Sequence, residues 1–597
     1  MQNLSQDLIT PDEARTLPGL FQGRVKRSPD TAAYRFFDAL NGVWSDASWR
    51  EMDKAVSRWQ KALLREKLEP GDRVAIMARN SRLWVMFDQA ALSLGLVVVP
   101  LFSDDRADNV HYILEHSGTK LLVIGGATQW ERLQGKLENI RTLKRVVSIA
   151  EIEHPGSKRL VQLNPWLSSD KDSEITLPEI QPHDLASIVY TSGTTGHPKG
   201  VMLSHRNFLS NVYSGLQAVP VTSEDIFLSF LPLSHTLERT VGYYLPMMAG
   251  ATVAHARSVQ ELAKDLREIK PTGIISVPRI FERVYIRIKE GLDNKSAFSS
   301  YLFGLAVTIG WRRFEYLQQR RRWHPLLLLW PLMKRLVADK ITYRLGGNLK
   351  VAISGGAALS PDIAKVFVGL GVPILQGYGL TEASPVVSVN RLSRNIPASI
   401  GPALPDVEVR TNENDELLVK GENVMLGYWK DPEATRAVVD EEGWLYTGDK
   451  ARIEDGYIYI TGRIKDIIVM DTGEKVSPVD MELAICNDGL FEQIMVIGEG
   501  RPYLTALVVV NQDQWQRLNE THGNPDRETV EKLLLERIGL CLHDFPGYAE
   551  IKRISLIDEP WTVENDFLTP TLKMKRKRIQ EKYSNVIERM YAGHPVF

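Results

Sequence analysis

Residues Tyr190–Val201 read YTSGTTGHPKGV and follow the apolar run ASIV at 186–189. The apolar run predicts a buried strand, and the segment after it holds three glycines, four serine or threonine hydroxyls and Lys199. Glycines let a backbone approach an anion, hydroxyls donate to phosphate oxygens or bind a hard cation, and a lysine adds positive charge. The segment therefore predicts a polyphosphate site at the end of a strand.

Two other interpretations fit part of this segment. Clusters of glycine, serine and threonine also form ordinary polar turns. The phosphate loop of kinases and GTPases has the pattern G-x-x-x-x-G-K-[ST], but here Gly193 precedes Lys199 by six residues. Pro198 stands where that loop needs a glycine, and Gly200 stands where it needs a hydroxyl. The spacing therefore disfavours a kinase or a GTPase.

The composition is that of a globular protein without a strong global charge. The chain has 597 residues, a net charge of −2 and two cysteines, Cys486 and Cys541. This balance predicts several compact units, no general attraction to nucleic acid, no disulfide scaffold and a cytoplasmic setting. The first residues lack the pattern of a secretory signal. Apolar runs such as Leu94–Phe102 and Pro325–Met333 are shorter than the roughly 20 residues that span a bilayer.

The first 350 residues alternate helical patterns with short β-rich runs, which predicts an α/β architecture with mostly parallel, buried strands. Helical spacing marks 48–64 and 81–94. The expected strands are Arg73–Met77, Lys120–Ile124, Ala186–Thr191, Gly273–Val277, Leu349–Ser354 and Pro373–Gln376.

The pattern changes after about residue 400. Alternating segments at Val407–Arg410, Glu416–Lys420 and Tyr457–Thr461 are separated by turn residues, as in antiparallel sheets. A smaller α+β unit is expected after Gly462. We therefore expect an N-terminal domain at 1–462, with a basic insertion at about 294–345, and a C-terminal domain at 463–597.

Three further segments carry polar groups at the ends of predicted elements. Ser354–Leu359 (SGGAAL) predicts a strand turning into a helix, with Ser360 as its cap and Pro361 in its first turn. The glycines alone would also explain a tight turn. Glu382 and Asp449 each follow a glycine-containing run, where a lone acid is more often a solvated or turn residue than a ligand. Alone, none of these segments identifies a function.

Together with YTSGTTGHPKG, these motifs resemble the adenylate-forming superfamily of acyl-CoA synthetases, firefly luciferases and nonribosomal-peptide adenylation domains. The resemblance covers nearly the whole chain, because the motifs follow in the family's order: LPLSH at Leu231–His235, SGGAAL at Ser354–Leu359, QGYGLTEASP at Gln376–Pro385, GWLYTGD at Gly443–Asp449 and YITGRIKDIIV at Tyr459–Val469. It implies a large N-terminal domain of layered α/β subdomains with a small β-barrel-like portion. A small, mobile α+β C-terminal domain would follow.

The resemblance also implies which residues bind ATP, Mg²⁺ and the acyl group. Mg²⁺ would be held by Thr191 and Glu382, and Asp449 would accept hydrogen bonds from the ribose hydroxyls. Tyr378 would lie near adenine. The full set implied to bind nucleotide is Thr191, Ser192, Gly193, Thr194, Thr195, Gly196, Lys199, Gly355, Gly356, Ala357, Gln376, Gly377, Tyr378, Gly379, Thr381, Glu382, Asp449, Arg463, Lys465 and Lys573.

The implied catalytic residues are Lys573, Glu382, Thr191 and His235. The substrate carboxylate would attack the α-phosphorus of ATP, with Lys573 bridging the two, and the coenzyme A thiol would then displace AMP. The family's Ser-Gly before this lysine is Thr571–Leu572 here, so Lys575 remains an alternative. His235 is expected to gate or orient the acyl group and not to act as a base. The C-terminal domain would rotate about Lys465 between the two steps.

The acid is expected to be a long-chain fatty acid, because PRIFERVY at Pro278–Tyr285 and the long insertion after it resemble that branch. Trp311–Leu345 has nine basic residues, two acidic ones and the run LLLLWPLM. This segment would either lie on an anionic membrane surface or pack its apolar stripe on the protein. Some long-chain members have a tryptophan gate where this chain has Arg239, so the chain length is left open.

Other functions fit part of the pattern. Acyl carrier protein would replace coenzyme A as the acceptor in a related synthetase, and the reaction would stop at acyl-adenylate if there were no acceptor. An aryl or short-chain ligase fits PRIFERVY less well. A non-catalytic lipid-binding scaffold would not need the complete set of site residues.

Overall fold

The structure is a computed structural model that describes residues 7–153, 156–168, 175–191, 198–293, 295–464, 466–521, 527–569 and 572–592. Its strands are β1 (Ala32–Asp38), β2 (Val43–Ser48), β3 (Arg73–Met77), β4 (Val97–Pro100), β5 (Leu121–Ile124), β6 (Arg145–Ser148), β7 (Leu160–Gln162), β8 (Leu185–Thr191), β9 (Lys199–Ser204), β10 (Ile226–Ser229), β11 (Thr252–His255), β12 (Gly273–Ser276), β13 (Val351–Ser354), β14 (Ile374–Gly379), β15 (Val386–Val389), β16 (Val407–Thr411), β17 (Glu416–Gly421), β18 (Gly427–Tyr428), β19 (Leu445–Glu454), β20 (Tyr457–Arg463), β21 (Ile468–Val469), β22 (Lys475–Val476), β23 (Phe491–Ile497), β24 (Leu504–Val510) and β25 (Ile551–Leu556).

The α-helices are α1 (Pro11–Ala14), α2 (Leu17–Arg27), α3 (Trp49–Arg65), α4 (Arg82–Ser93), α5 (Ala107–Ser117), α6 (Ala127–Leu137), α7 (Leu163–Ser168), α8 (His205–Ala218), α9 (Leu245–Ala249), α10 (Leu262–Ile269), α11 (Pro278–Asp293), α12 (Ala297–Leu317), α13 (Trp330–Met333), α14 (Asp339–Arg344), α15 (Pro361–Gly369), α16 (Pro432–Arg436), α17 (Pro478–Cys486), α18 (Gln512–Thr521), α19 (Arg527–Cys541), α20 (Arg576–Lys582) and α21 (Ser584–Tyr591). Glu238–Tyr244 and Lys334–Ala338 are π-helical, and Pro325–Leu329, Thr381–Ala383 and Gly547–Ala549 form 3₁₀ turns.

Two eight-stranded sheets form the large domain. Their strand orders are β15-β14-β13-β12-β10-β11-β1-β2 and β18-β9-β8-β4-β3-β5-β6-β7. The inner strands are parallel, and antiparallel pairs such as β1 with β2 and β8 with β9 lie toward the edges. Parallel strands need cover on both faces, and β12 is buried at every residue. The α/β prediction is therefore confirmed.

A third sheet has the antiparallel order β16-β17-β19-β20. Its turns use acidic residues in the left-handed region, with Asp415 at φ 60° and Asp455 at φ 49°. This sheet lies where the β-barrel-like portion is predicted, but it is an open sheet with β16 and β20 as its edges. Its strand β19 carries Asp449 and β20 ends at Arg463.

The C-terminal residues form their own α+β unit. Strands β23, β24 and β25 make one sheet, and two hydrophobic clusters pack against it. Every residue of these two clusters lies between Ile468 and Tyr591.

The basic insertion packs one face on the large domain. Helix α12 lies against α15 so closely that a Cβ on Gly310 would meet the Gly369 carbonyl oxygen at 1.7 Å. Ile309 and Trp330 are buried in this contact. The opposite face is exposed. Within the described residues, no helix combines the length and the apolarity needed to cross a bilayer.

Candidate active site

A cavity of about 630 Å³ opens beside the carboxyl ends of β12, β13 and β14. Ligands of open parallel sheets bind at this end, and the volume is in the range of small-molecule sites. The predicted site residues that line it are Thr191, Lys199, His235, Gly355, Gly356, Gly377, Tyr378, Gly379, Thr381, Glu382, Arg463 and Lys573. Most of the separated motifs therefore meet in one cavity.

The glycine-rich segment connects two antiparallel strands. Thr191 ends β8 and is paired with Lys199 at the start of β9. Ser192, Gly193, Thr194, Thr195 and Gly196 lie outside the described residues. In a phosphate loop of the kinase type a helix follows the loop directly, whereas here α8 begins only after β9. The topology agrees with the spacing argument against that class.

Helix α8 forms one wall of the cavity, and its start is held by a capping box. The Ser204 hydroxyl accepts a hydrogen bond from the Asn207 backbone N–H at 3.1 Å, and the Ser204 N–H donates to the Asn207 side chain at 2.8 Å. Both residues are buried.

Glu382 lies in a short turn after β14 and shares the cavity with Thr191. Tyr428 donates its hydroxyl to Glu382 Oε1 at 2.9 Å. Burial and then the Glu382 charge raise the pKa of Tyr428, so this hydroxyl stays a donor. The Lys199 Nζ lies 4.9 Å from the centre of the same ring. Tyr428 therefore couples the acid and the lysine.

Asp449 is buried between two other predicted residues. Tyr378 donates to its Oδ2 at 2.5 Å, and Arg463 Nε donates to its Oδ1 at 2.7 Å. Burial acts to lower the pKa of Arg463, but Asp449 outweighs burial and raises it. Each Asp449 oxygen thus has one partner and retains further acceptor capacity. The cavity surface here is formed by Tyr378 and Arg463, with Asp449 behind them.

Three predicted residues have structural surroundings that the sequence did not indicate. Gln376 is buried and holds the chain through the Leu359 N–H at 3.0 Å and the Pro397 carbonyl. Ala357 is exposed just beyond Gly356. Ser360 occupies the predicted N-cap position of α15, with Pro361 in the first turn, but its side chain accepts a hydrogen bond from Asn487 at 3.2 Å and not from a backbone N–H of the helix.

His235 faces the cavity just before the π-helical segment Glu238–Tyr244. Its Nδ1 accepts a hydrogen bond from the Leu237 N–H at 3.2 Å. Burial and then the charge of Lys573 lower the pKa of His235 to about 4. The imidazole is therefore neutral at pH 7 and a weak base, which agrees with an orienting role.

The structure separates the two candidate lysines. Lys573 lines the cavity, and burial and then Arg463 lower its pKa. Lys575 points elsewhere and contacts Asp566 Oδ1 at 2.6 Å. Leu572 has φ 61°, in the left-handed region, at the position where the family pattern has glycine. Lys465 lies outside the described residues.

Arg239 does not contact the cavity. It is fully buried and donates to Asp88, to Ser187 at 2.7 Å and to Tyr244 at 3.1 Å. Burial favours its neutral form, but Asp88 keeps its pKa above the usual value. One part of the cavity wall is apolar and lies among α8, the π-helical segment, α9, β10 and β12. It is formed by Val212, Gly215, Phe227, Val241, Leu245 and Ile275.

Sequence reasoning missed Tyr428 and the apolar wall. Tyr428 lies in the two-residue strand β18, which pairs with β9 across more than 200 residues of sequence. No local pattern predicts such a pairing. The residues of the apolar wall belong to helices and strands whose sequences predict ordinary buried structure.

Known proteins resemble this chain over most of its length. The family model of AMP-binding enzymes matches residues 21–429, and that of the AMP-binding enzyme C-terminal domain matches 465–595. "Long-chain-fatty-acid--CoA ligase FadD15" of Mycobacterium bovis is 30% identical, over 94% of this chain and 95% of the relative. "Long-chain-fatty-acid--[acyl-carrier-protein] ligase AEE15, chloroplastic" of Arabidopsis thaliana is 28% identical, over 98% and 88%.

Solved structures also resemble this chain in fold. The adenylation domain of a carboxylate reductase from Mycobacterium chelonae superposes with a TM-score of 0.77 at 21% identity, over 98% of this chain and 94% of that one. The fold predicted from the motifs is confirmed by this likeness. Because the family models together span most of the sequence, the chain belongs to the AMP-binding enzyme family.

Proposed function

We propose that this protein is an AMP-forming ligase that activates a long-chain fatty acid with ATP and transfers the acyl group to coenzyme A. The main observation that supports the proposal is that a single cavity has a polar half and an apolar half. The polar half contains Thr191, Lys199 and Glu382, the apolar half lies beside α8, and Lys573 lines the same cavity.

The first half-reaction needs positioning and charge neutralisation. A fatty-acid carboxylate is ionised at pH 7, so its oxygen attacks the α-phosphorus of ATP without a base. The new O–P bond forms as the bond to pyrophosphate breaks, giving acyl-adenylate. Lys573 stabilises the negative charge between the two reactants, and Arg463 and Lys199 hold the nucleotide.

Magnesium fits the oxygen ligands of this site. Thr191 and Glu382 offer one hydroxyl and one carboxylate, and Tyr428 occupies only one oxygen of that carboxylate. Within the described ranges no three His, Cys, Asp or Glu residues are grouped to hold a metal. This agrees with an ion that takes its other ligands from phosphate and water. Bound there, Mg²⁺ would neutralise charge on the leaving pyrophosphate.

In the second half-reaction the thiol sulfur bonds to the acyl carbon, the bond from that carbon to the AMP phosphate oxygen breaks, and the thiol proton passes to solvent. Lys573 is not needed once the adenylate exists. We infer that residues 463–597 rotate about a hinge that contains Lys465, moving Lys573 away and admitting the thiol. Neutral His235 then orients the acyl carbonyl and takes no proton.

Coenzyme A is the proposed acceptor, and acyl carrier protein is the alternative. The named relatives include a ligase of each kind at similar identity. Both acceptors present the same pantetheine thiol, so the cavity chemistry alone suits both.

We further propose that the protein works in the cytoplasm, at the surface of an anionic membrane. The insertion exposes large apolar side chains, including Leu328 at 72% and Tyr343 at 61% of their surface. Basic residues such as Arg322, Lys334 and Arg335 lie among them. A face that combines exposed apolar groups with positive charge suits a lipid surface, where long-chain acids partition.

One assay tests the main proposal. Pyrophosphate release is measured with acids from acetate to stearate and benzoate, each with coenzyme A, with acyl carrier protein and without an acceptor. We expect release to depend on a long-chain acid and turnover to need coenzyme A. Release with no acid of the panel would refute the ligase, and turnover only with the carrier protein would identify the other acceptor.

A further inference from the structure

An ion-pair network joins the loop that carries Lys573 to the wall of the cavity. Arg106 precedes α5 in the large domain, and its Nη1 lies 2.5 Å from Asp566 Oδ1 in the C-terminal part. Lys575 Nζ contacts the same oxygen at 2.6 Å, and Arg578 Nε lies 3.7 Å from Asp566 Oδ2. Asp566 is therefore shared between the two parts of the protein.

Backbone and side-chain hydrogen bonds connect the C-terminal end of the network to Lys573. The Lys575 N–H donates to the Phe567 carbonyl at 2.9 Å, and the Thr569 N–H donates to the Lys573 carbonyl at 2.8 Å. The Lys573 N–H returns a bond to the Thr569 hydroxyl at 3.0 Å. Because these bonds close a hairpin, the position of Asp566 restrains the position of Lys573.

The large-domain end of the network is part of the cavity wall. Asp105 lines the cavity, is buried, and accepts hydrogen bonds from the Arg106 N–H at 2.8 Å and from Asn109 at 3.0 Å. Burial raises the pKa of Asp105, and the charge of Lys575 acts against that shift. Acidic and basic groups thus alternate across the boundary between the two parts.

The ion pair of Arg106 and Asp566 is partly exposed, as expected of a contact that forms and breaks reversibly. Arg106 keeps 37% and Asp566 23% of its side-chain surface exposed. Partly exposed ion pairs contribute little to stability and are weakened by salt. Such a contact orders a loop and can still break during each turnover.

We propose that the Arg106–Asp566 ion pair is a positioning latch that holds Lys573 in the cavity for the first half-reaction and must open for the second. This inference rests on the proposed function. Arg106 and Asp566 touch no reacting atom and act only through the placement of Lys573.

The test separates the two half-reactions in Arg106→Gln, Arg106→Lys and Asp566→Asn. For Arg106→Gln we expect adenylate formation, measured by ATP–pyrophosphate exchange, to slow by about fivefold, an effect of about 1 kcal/mol. Thioester formation from supplied acyl-adenylate should not slow. Arg106→Lys should restore part of the rate, and Arg106→Gln combined with Asp566→Asn should be no slower than the slower single variant.

Arg501→Gln is the control, because Arg501 is 35% exposed, close to the 37% of Arg106, and pairs with Glu588 within the C-terminal part. It should change neither half-reaction. If Arg106→Gln slows both half-reactions equally or slows neither, the latch is overturned while the ligase stands. If the unaltered protein forms no adenylate, the proposed function fails first.

Discussion

At the scale of single residues, Lys573 is the residue on which the rate of the first half-reaction should depend most strongly. Both Lys573 and the neighbouring Lys577 are exposed, but Lys573 lines the cavity and Lys577 lies on α20, outside the cavity lining. We expect Lys573→Ala to slow adenylate formation by roughly a hundredfold or more, the size typical of a lost charge-stabilising group. Thioester formation from supplied adenylate should be largely spared. Lys577→Ala should behave like the unaltered protein, and equal loss of both half-reactions would contradict the role of Lys573.

Glu238 should make stability depend on pH. It is buried, and burial raises its pKa to about 8 against the opposing effect of the Ser229 hydroxyl. The pKa of Glu238 in the folded protein exceeds the unfolded value of 4.5. Its contribution to the free energy of unfolding is therefore complete below about pH 4.5. That contribution is lost as the pH rises through 8.

The free energy of unfolding of the unaltered protein should therefore fall by about 2–3 kcal/mol from pH 6 to pH 9 relative to Glu238→Gln. Urea unfolding at both pH values measures the difference. The exposed Glu441→Gln is the control. Parallel pH dependence of Glu238→Gln and the unaltered protein would refute this assignment.

At the scale of elements, α8 and the π-helical segment should limit acyl-chain length. A Cβ on Gly215 would lie 3.3 Å from Leu245 Cδ1, so a larger side chain there must enter the cavity. We expect Gly215→Leu to reduce kcat/KM for C16 acids about tenfold or more and to spare short acids, as overpacking of a closed wall predicts. The measurement is a chain-length series.

Gly135→Leu is the control for Gly215→Leu, because Gly135 lies on α6 with no atom near its Cβ position. An equal loss for acids of every length would instead indicate general damage to α8.

The insertion, which contains α12 to α14, gives a second prediction at this scale. Leu328→Asp with Leu332→Asp should weaken binding to vesicles containing anionic lipid about tenfold or more, because two exposed apolar groups are replaced by negative charges. Flotation with vesicles measures it. Leu40→Asp alters a residue that is 97% exposed in the turn between β1 and β2, and it should leave binding unchanged. Unchanged binding of the double variant would exclude this face.

The whole molecule should unfold in two steps. The C-terminal part has its own hydrophobic clusters, and the ion pair of Arg106 with Asp566 and the hydrogen bond of Asn487 to Ser360 connect it to the large domain. Domains joined by such polar contacts unfold with separate transitions. Calorimetry should resolve two peaks, and a non-reactive acyl-adenylate analogue should raise the midpoint of the peak assigned to the large domain. A single two-state peak would contradict this expectation.

Local sequence was enough to predict the elements and most of the site. The β-rich run Arg73–Met77 predicted β3 at its observed bounds, because a strand buried on both faces is apolar along most of its length. Thr191 was identified from the chemistry of the glycine-rich segment, whereas Glu382 and Lys573 were identified because their motifs resemble those of the adenylate-forming superfamily.

The sequence by itself thus determined the α/β class, the family and the set of groups that meet in the cavity, since each is encoded in short stretches of chain. Only the tertiary structure decided that Lys573 and not Lys575 enters the cavity, and that Arg239 is buried against Asp88. It alone also brought Tyr428 to Glu382 and Arg106 to Asp566. The contacts of Arg239, Tyr428 and Arg106 join residues that are 46 to 460 positions distant in sequence. Side-chain packing between separate elements determines such contacts, and local sequence does not encode it.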